Sequence, residues 1–223
     1  MQDIERLYRD LEYRFTDVQL LSRALTHRSK STLNYERLEF LGDSVLGFVV
    51  AQWFYHQFPG ASEGTLSRMR ASVVRKERLA DVARRIGLSD WLLLGEGEQR
   101  SGGFQRDSIL ADSLEAVIGA IQLDAGLDAA RQFIIRHFDE ILSDINPDTV
   151  RKDPKTRLQE ALQRRGLPVP DYTIVSVSGP PHEQLFEVAC EVAGEPETFT
   201  AVGPSRRRAE QDAAKKALAK IAS

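Results

Sequence analysis

The chain has 223 residues, 42% of them hydrophobic, and a net charge of −3; that is enough for a real core in one large domain or two small ones. The single Cys190 excludes an intramolecular disulfide and a cysteine zinc site, so any metal is expected to take oxygen ligands, in a reducing compartment. No stretch approaches the roughly 20 apolar residues of a membrane helix, and the N-terminus lacks the apolar core of a signal peptide, so a soluble, cytoplasmic protein without a membrane partner is expected.

The first two thirds reads as helix after helix. "IERLYRDLEYRF" places Ile4, Leu7, Leu11 and Phe15 at helical spacing, and "DVQLLSRALTH" gives a second short amphipathic stretch. After the polar "RSKSTLN" comes "YERLEFLGDSVLGFVVAQWFYHQF", closed by Pro59 and Gly60. Its apolar residues cover nearly the whole circumference, which predicts a central, buried helix. "SEGTLSRMRASVVRKERLADVARRIG" reads as a further helical region and the Gly-rich "GEGEQRSGGFQRD" as a mobile or ligand-facing loop. "SILADSLEAVIGAIQLDAG" and "LDAARQFIIRHFDEILSDI" complete the helical series, and no strand pattern competes before residue 146.

"NPDTVRKDP", with two prolines, reads as a linker, which sets expected boundaries at 1–146, 147–153 and 154–223. Beyond it, "KTRLQEALQRRG" is a helix, "DYTIVSVSG", "QLFEVACEVAG" and "ETFTAVG" are strands, and "SRRRAEQDAAKKALAKIA" is a helix with Ser205 as N-cap. The order predicts a small α+β domain with both helices on one face of an antiparallel sheet. Charge is uneven within it: Asp171 to Thr200 holds six acids and no Lys or Arg, whereas Ser205 to Lys220 holds six bases and two acids. Such a patch can receive a polyanion whatever the total charge.

Two acidic clusters lie inside apolar helices. Glu36, Glu39 and Asp43 share one helical stripe, and Asp112 and Glu115 are i, i+3 neighbours on another helix. If those faces oppose each other, four carboxylates converge, and their repulsion calls for a cation; carboxylate oxygens plus water are the set Mg²⁺ prefers. Taken pair by pair, the acids fit ordinary helix faces neutralised by Arg37, Arg68, Arg70 or Arg106 better than a metal site, and spacing by itself is weak. The histidines His27, His56, His137 and His182 are scattered, and His27 and His56 are expected to be packing or surface residues.

"ERLEFLGDS" resembles the signature of the ribonuclease III family, "SILADSLEAVIGA" resembles its second acidic motif, "SGG" fits its helix-entry loop, and the last 70 or so residues resemble a double-stranded RNA-binding domain. The family commonly has Asn just before the first signature Glu, where this chain has Tyr35, with Asn34 one earlier. The resemblance implies an all-helical endonuclease domain acting as a homodimer on double-stranded RNA in the processing of rRNA and mRNA, leaving 5′-phosphate and 3′-hydroxyl ends. It implies Glu39, Asp43, Asp112 and Glu115 as metal-binding acids for Mg²⁺, with Mn²⁺ as a substitute; Asp43 and Glu115 are the catalytic pair and Glu36 and Glu63 secondary acids. It also implies Phe40 at the dimer interface, and Thr156, Gln159, Glu160, His182, Arg206 and Arg207 as RNA contacts. The rival expectation is a protein that binds duplex RNA without cutting it.

Overall fold

The computed structural model describes residues 4–147, 150, 153–180 and 183–221, and the chain divides into two compact units, Met1–Val150 and Arg151–Ser223. In the first, the helices are α1 (Ile4–Leu11), α2 (Val18–Ala24), α3 (Glu36–Gln57), α4 (Glu63–Val73), α5 (Lys76–Arg85), α6 (Glu96–Arg100) and α7 (Asp107–Asp144). Its core joins Leu7 and Leu11 of α1, Leu46 and Phe54 of α3, and Leu114 and Phe138 of α7.

Three segments differ from the sequence expectation. The first helix stops at Leu11, where Glu12 turns to φ 48°, because the chain after it is tied to α7 instead of continuing the helix. Asp124 accepts the Tyr13 hydroxyl at 2.6 Å and the N–H groups of Thr16 and Asp17 at 3.0 and 2.8 Å. The region 62–87 is two helices, divided where Arg75 is extended (φ −70°, ψ 145°) without a glycine or proline to mark the break. The Gly-rich 95–107 stretch is folded, with α6 followed by a single 3-10 turn at Gly103–Gln105.

α3 and α7 form the centre of this unit, and two glycines set how closely they pack. A Cβ on Gly42 would lie 1.7 Å from the Glu115 carbonyl oxygen, and one on Gly119 would lie 2.2 Å from the Leu38 carbonyl oxygen. Glycine inside a helix costs about 1 kcal/mol relative to alanine, so its use at both positions reflects backbone-to-backbone contact. α7 covers one face of α3, and Phe40, Phe48 and Tyr55 remain exposed on α3, contrary to the expectation of burial all round. At Gly126 (φ 82°, ψ −177°) α7 breaks into two helical segments, the division the sequence suggested.

The second unit runs α8 (Pro154–Arg164), β1 (Asp171–Ser178), β2 (Leu185–Glu191), β3 (Phe199–Gly203) and α9 (Arg206–Ile221). The strands form an antiparallel sheet in the order β1-β2-β3, with Tyr172 opposite Cys190 and Cys190 opposite Phe199. Leu158 and Leu162 of α8 and Ala213, Ala214 and Ala217 of α9 pack with Cys190, Phe199 and Ala201 on one face. Asp171, Glu187 and Glu191 alternate onto the other, so these three acids of the run lie away from the helices.

Gly119→Ala should lower the thermal midpoint in a melting experiment by several degrees, corresponding to about 1–3 kcal/mol of overpacking. Gly64→Ala, whose Cβ would meet only the end of Arg68 at 3.5 Å, should leave it unchanged or raise it.

Candidate active site

The helix carrying the first acids starts at Glu36, whose N–H donates to the Asn34 side-chain oxygen at 2.9 Å. Asn34 thus closes a short turn just ahead of the helix. Glu36 and Glu39 occupy the first turn, where the helix dipole favours negative charge. The contact between Gly42 and the backbone of Glu115 brings the second acidic motif against the first. Glu39, Asp112 and Glu115 each place a carboxylate oxygen within 4.8 Å of the others.

Asp43 lies outside this group of three, exposed beside it and close enough for its charge to act on Glu39 and Glu115. Glu36 is also at the cavity, 3.7 Å from the Arg28 guanidinium. Glu63 is the first residue of α4, behind the Ser62 cap, where it accepts the Ser67 hydroxyl at 2.7 Å, and is not part of the group. Arg68, one of the bases available in sequence to neutralise the acids, instead bonds the Val150 carbonyl and Thr65. Among the described residues no ion pair joins Glu39, Asp43, Asp112 or Glu115 to a base.

The electrostatics follow from that lack. Burial and the charges of Asp112, Glu36 and Asp43 push Glu39 up to about 7. Burial, then Asp43, Asp112 and Glu39, push Glu115 up to about 8, and burial raises Asp112. A set of half-buried carboxylates that resist ionising together, with oxygen donors only, fits a divalent cation of the Mg²⁺ or Mn²⁺ type.

Glu39 and Asp112 open into a cavity of roughly 780 Å³, which Arg28, Glu98 and Arg106 also line. Arg106 is held there by Glu98 at 2.7 Å and Ser101 at 3.1 Å, so the "SGG" turn positions a base at the mouth of the site. Sequence reasoning missed Arg28 and Glu98, which no local pattern marks. It also placed His27 among packing or surface residues, whereas His27 lines this cavity.

In the second unit, Asp153 caps α8, accepting the Thr156 N–H and hydroxyl at 3.0 Å and the Gln211 amide at 2.9 Å. The Thr156 hydroxyl is therefore engaged within the cap, Gln159 is exposed and Glu160 half-buried on the same helix. Ser205 caps α9 through the Arg208 N–H at 3.3 Å, as expected. Glu210 joins Lys155 at 2.6 Å and Arg206 at 2.8 Å, and Arg208 pairs with Asp212 at 3.0 Å. Arg207 has no ion-pair partner among the described residues and lines a groove with Arg157, Arg208 and Lys215. Arg157 and Lys215 were not singled out in sequence, because only the fold brings α8 and α9 together. His182 lies outside the described residues.

Comparison with known proteins agrees with both units. Residues 17–142 match a family model described as Ribonuclease-III-like, and residues 154–221 match the double-stranded RNA binding motif. Ribonuclease 3 of Methylococcus capsulatus is 52% identical over 217 residues, covering 97% of this chain and 94% of that protein. Ribonuclease 3 of Haemophilus influenzae is 51% identical over 224 residues, covering 99% of each. The crystal structure of the ribonuclease III nuclease domain from Campylobacter jejuni matches with a TM-score of 0.62 at 42% identity, covering 66% of this chain and 100% of that one.

A helical unit with converging carboxylates, followed by a duplex-RNA-binding unit, defines a double-stranded-RNA endoribonuclease. The chain belongs to the ribonuclease III family.

The raised carboxyls predict a pH dependence of stability. Glu115 and Glu39 hold their protons in the folded chain up to about 8 and 7 but lose them near 4.5 when unfolded, so the folded state binds more protons in between. Metal-free protein should therefore lose stability as pH rises from about 5 to 8, and Glu115→Gln should flatten that loss in melts recorded in EDTA.

Proposed function

We propose that this chain hydrolyses phosphodiester bonds in double-stranded RNA with Mg²⁺, or Mn²⁺ in its place, held by Glu39, Asp112 and Glu115 with Asp43 completing the set. Water adds to phosphorus as the bond to the 3′ oxygen breaks, leaving a 5′-phosphate and a 3′-hydroxyl. The observation that carries this reading is the convergence of acids from α3 and α7, unneutralised by any base of the described chain. A divalent cation bound there supplies positive charge and Lewis acidity for attack of water on a phosphodiester.

The chain's own groups prepare that site. Glu39 and Glu115, which hold protons near neutral pH, release them when a cation enters, so occupancy and deprotonation are coupled. Asp43 and Glu115 are the acids assigned to the chemistry; Glu36, which lines the cavity, and Glu63 on α4 are assigned supporting roles. Arg28 and Arg106 face the same cavity and offset the negative charge a phosphodiester brings into it.

The reading extends to a homodimer. Phe40 is 77% exposed, and beside it a largely apolar pocket is lined by Leu38, Leu41 and Leu123. A large exposed aromatic next to an apolar recess on the same surface suits a two-fold contact in which each Phe40 enters the partner's pocket. The Campylobacter jejuni nuclease domain has a region involved in dimer formation. Two sites in such a dimer can each cut one strand of a duplex.

The second unit holds the duplex. Thr156, Gln159 and Glu160 on α8 are assigned to one minor groove, His182 to the next, and Arg206 and Arg207 to the phosphates between. The free Arg207 and the N-terminus of α9 supply charge and N–H donors where a phosphate would lie. No helix among the described residues is long and apolar enough to cross a membrane. We place the protein in the cytoplasm, acting on rRNA and mRNA precursors.

A long perfect RNA duplex should be cut with Mg²⁺ and left intact in EDTA. Glu115→Gln should reduce cleavage by about 10²–10³-fold or more while duplex binding in a gel-shift assay persists. Unchanged cutting by this folded variant would refute the catalytic assignment. Phe40→Asp should shift the protein toward monomer in analytical ultracentrifugation; a dimer that survives it at micromolar concentration would remove Phe40 from the interface.

A further inference from the structure

Two side chains at the acidic cavity carry polar atoms that no described residue hydrogen-bonds. Tyr35 is 2% exposed and His27 8% exposed, and both line the cavity that contains Glu39 and Asp112. Tyr35 is fixed by its backbone: its N–H donates to the Thr26 carbonyl at 2.9 Å, and its carbonyl accepts from Leu38 and Glu39 at 2.8 and 2.9 Å. Its ring meets that of His27 edge-on, with centroids 5.6 Å apart. The phenol hydroxyl has no hydrogen-bond partner among the described residues.

The tautomer of His27 follows from its neighbours. The Ser29 N–H donates to Nδ1 at 3.1 Å, and the Ser29 hydroxyl lies 2.7 Å from the same atom. That hydroxyl oxygen accepts the Gly95 N–H at 2.9 Å, leaving its own proton for Nδ1. A nitrogen that accepts from both groups carries no proton, and burial keeps the imidazole neutral by lowering its pKa. The ring proton therefore sits on Nε2, which has no partner among the described residues. Segment 26–29 is held in place by the parallel bridge of Thr26 to Leu93, so the ring cannot swing away cheaply.

Neither Tyr35 Oη nor His27 Nε2 is sealed from solvent, so both open onto the cavity they line, and two fixed donors there suit a ligand that accepts hydrogen bonds. A bare cation does not suit the pair, because the His27 Nε2 proton would face it. We propose that Tyr35 Oη–H and His27 Nε2–H form a donor pair that hydrogen-bonds an oxygen of the RNA strand, a ribose hydroxyl or a phosphate oxygen next to the scissile bond. This rests on the nuclease reading of the cavity and deepens it: carboxylates hold the metal, and the donor pair sets the register of the strand against them.

The test uses the full-length protein and a short RNA duplex with one mapped cleavage site. Tyr35→Phe removes the hydroxyl and keeps the ring; His27→Asn keeps an acceptor for Ser29 and removes the distant donor. Each is assayed on the all-RNA duplex, on duplexes with single 2′-deoxy nucleotides flanking the cut, and on duplexes with single neutral methylphosphonate linkages there. The 2′-deoxy and methylphosphonate series tell a ribose contact from a phosphate contact. Tyr35→Phe should lower kcat/KM about tenfold on all-RNA duplex, and less than about twofold on the one substrate already lacking the contacted oxygen. The Mg²⁺ concentration for half-maximal rate and the melting temperature should not move. Equal losses on every substrate, a shifted Mg²⁺ requirement, or no loss at all would overturn the donor pair while leaving the nuclease reading intact. Should His27→Asn fail to fold, Tyr35→Phe decides alone. A wild-type protein that cuts no duplex would instead sink the nuclease reading, and the donor pair with it.

Discussion

The approach of two backbones at Gly42 and Gly119 is the constraint on which the catalytic unit depends. Any side chain at either position would wedge α3 and α7 apart, since the nearest carbonyl oxygens leave no room for a single carbon. Because Gly42 lies between Glu39 and Asp43 and rests on the carbonyl of Glu115, the closest point of the two helices is also the point where the acids emerge. Close packing there buries Glu39 and Glu115 and crowds them with other acids, and the pKa values of these two rise accordingly. The apolar core around Leu46, Phe54, Leu114 and Phe138 supplies the burial that holds the helices in this arrangement.

The two units divide the electrostatic work. The first concentrates unneutralised carboxylates at one cavity and places Arg28 and Arg106 around it. The second turns its strand acids Asp171, Glu187 and Glu191 to the far face of the sheet and gathers its bases at the start of α9 and along the groove with α8. A net charge near zero thus conceals one locus built to attract a cation and another built to attract a polyanion.

Much of this was legible in the amino-acid order, and the exceptions have physical reasons. The helices of the first unit and the α-β-β-β-α order of the second follow from hydrophobic period, proline and glycine punctuation and the Ser205 cap. The break at Arg75 was invisible because nothing in its chemistry demands an extended backbone. The early end of α1 depends on Asp124, more than a hundred residues away. In the site, the acids were readable because two spaced motifs carry them. Arg28, Glu98, His27 and Tyr35 were not recognised as cavity residues, because they reach it through loops whose positions come from long-range contacts such as Gly95 to Ser29. The exposed stripe of Phe40, Phe48 and Tyr55 reads in sequence like core; only the fold shows which side of α3 is left bare.

The buried Glu210, clasped by Lys155 and Arg206, changes how the basic helix meets an electrolyte. With Arg208 on Asp212 and the Lys216 ammonium donating to the Thr200 carbonyl at 2.6 Å, several bases of the helix already have internal company. Ions condensed on a duplex are displaced mainly by cations not yet neutralised within the protein. The slope of log affinity against log salt for this unit should accordingly be shallower than its tally of arginines and lysines suggests, with Arg207 and Lys215 setting most of it.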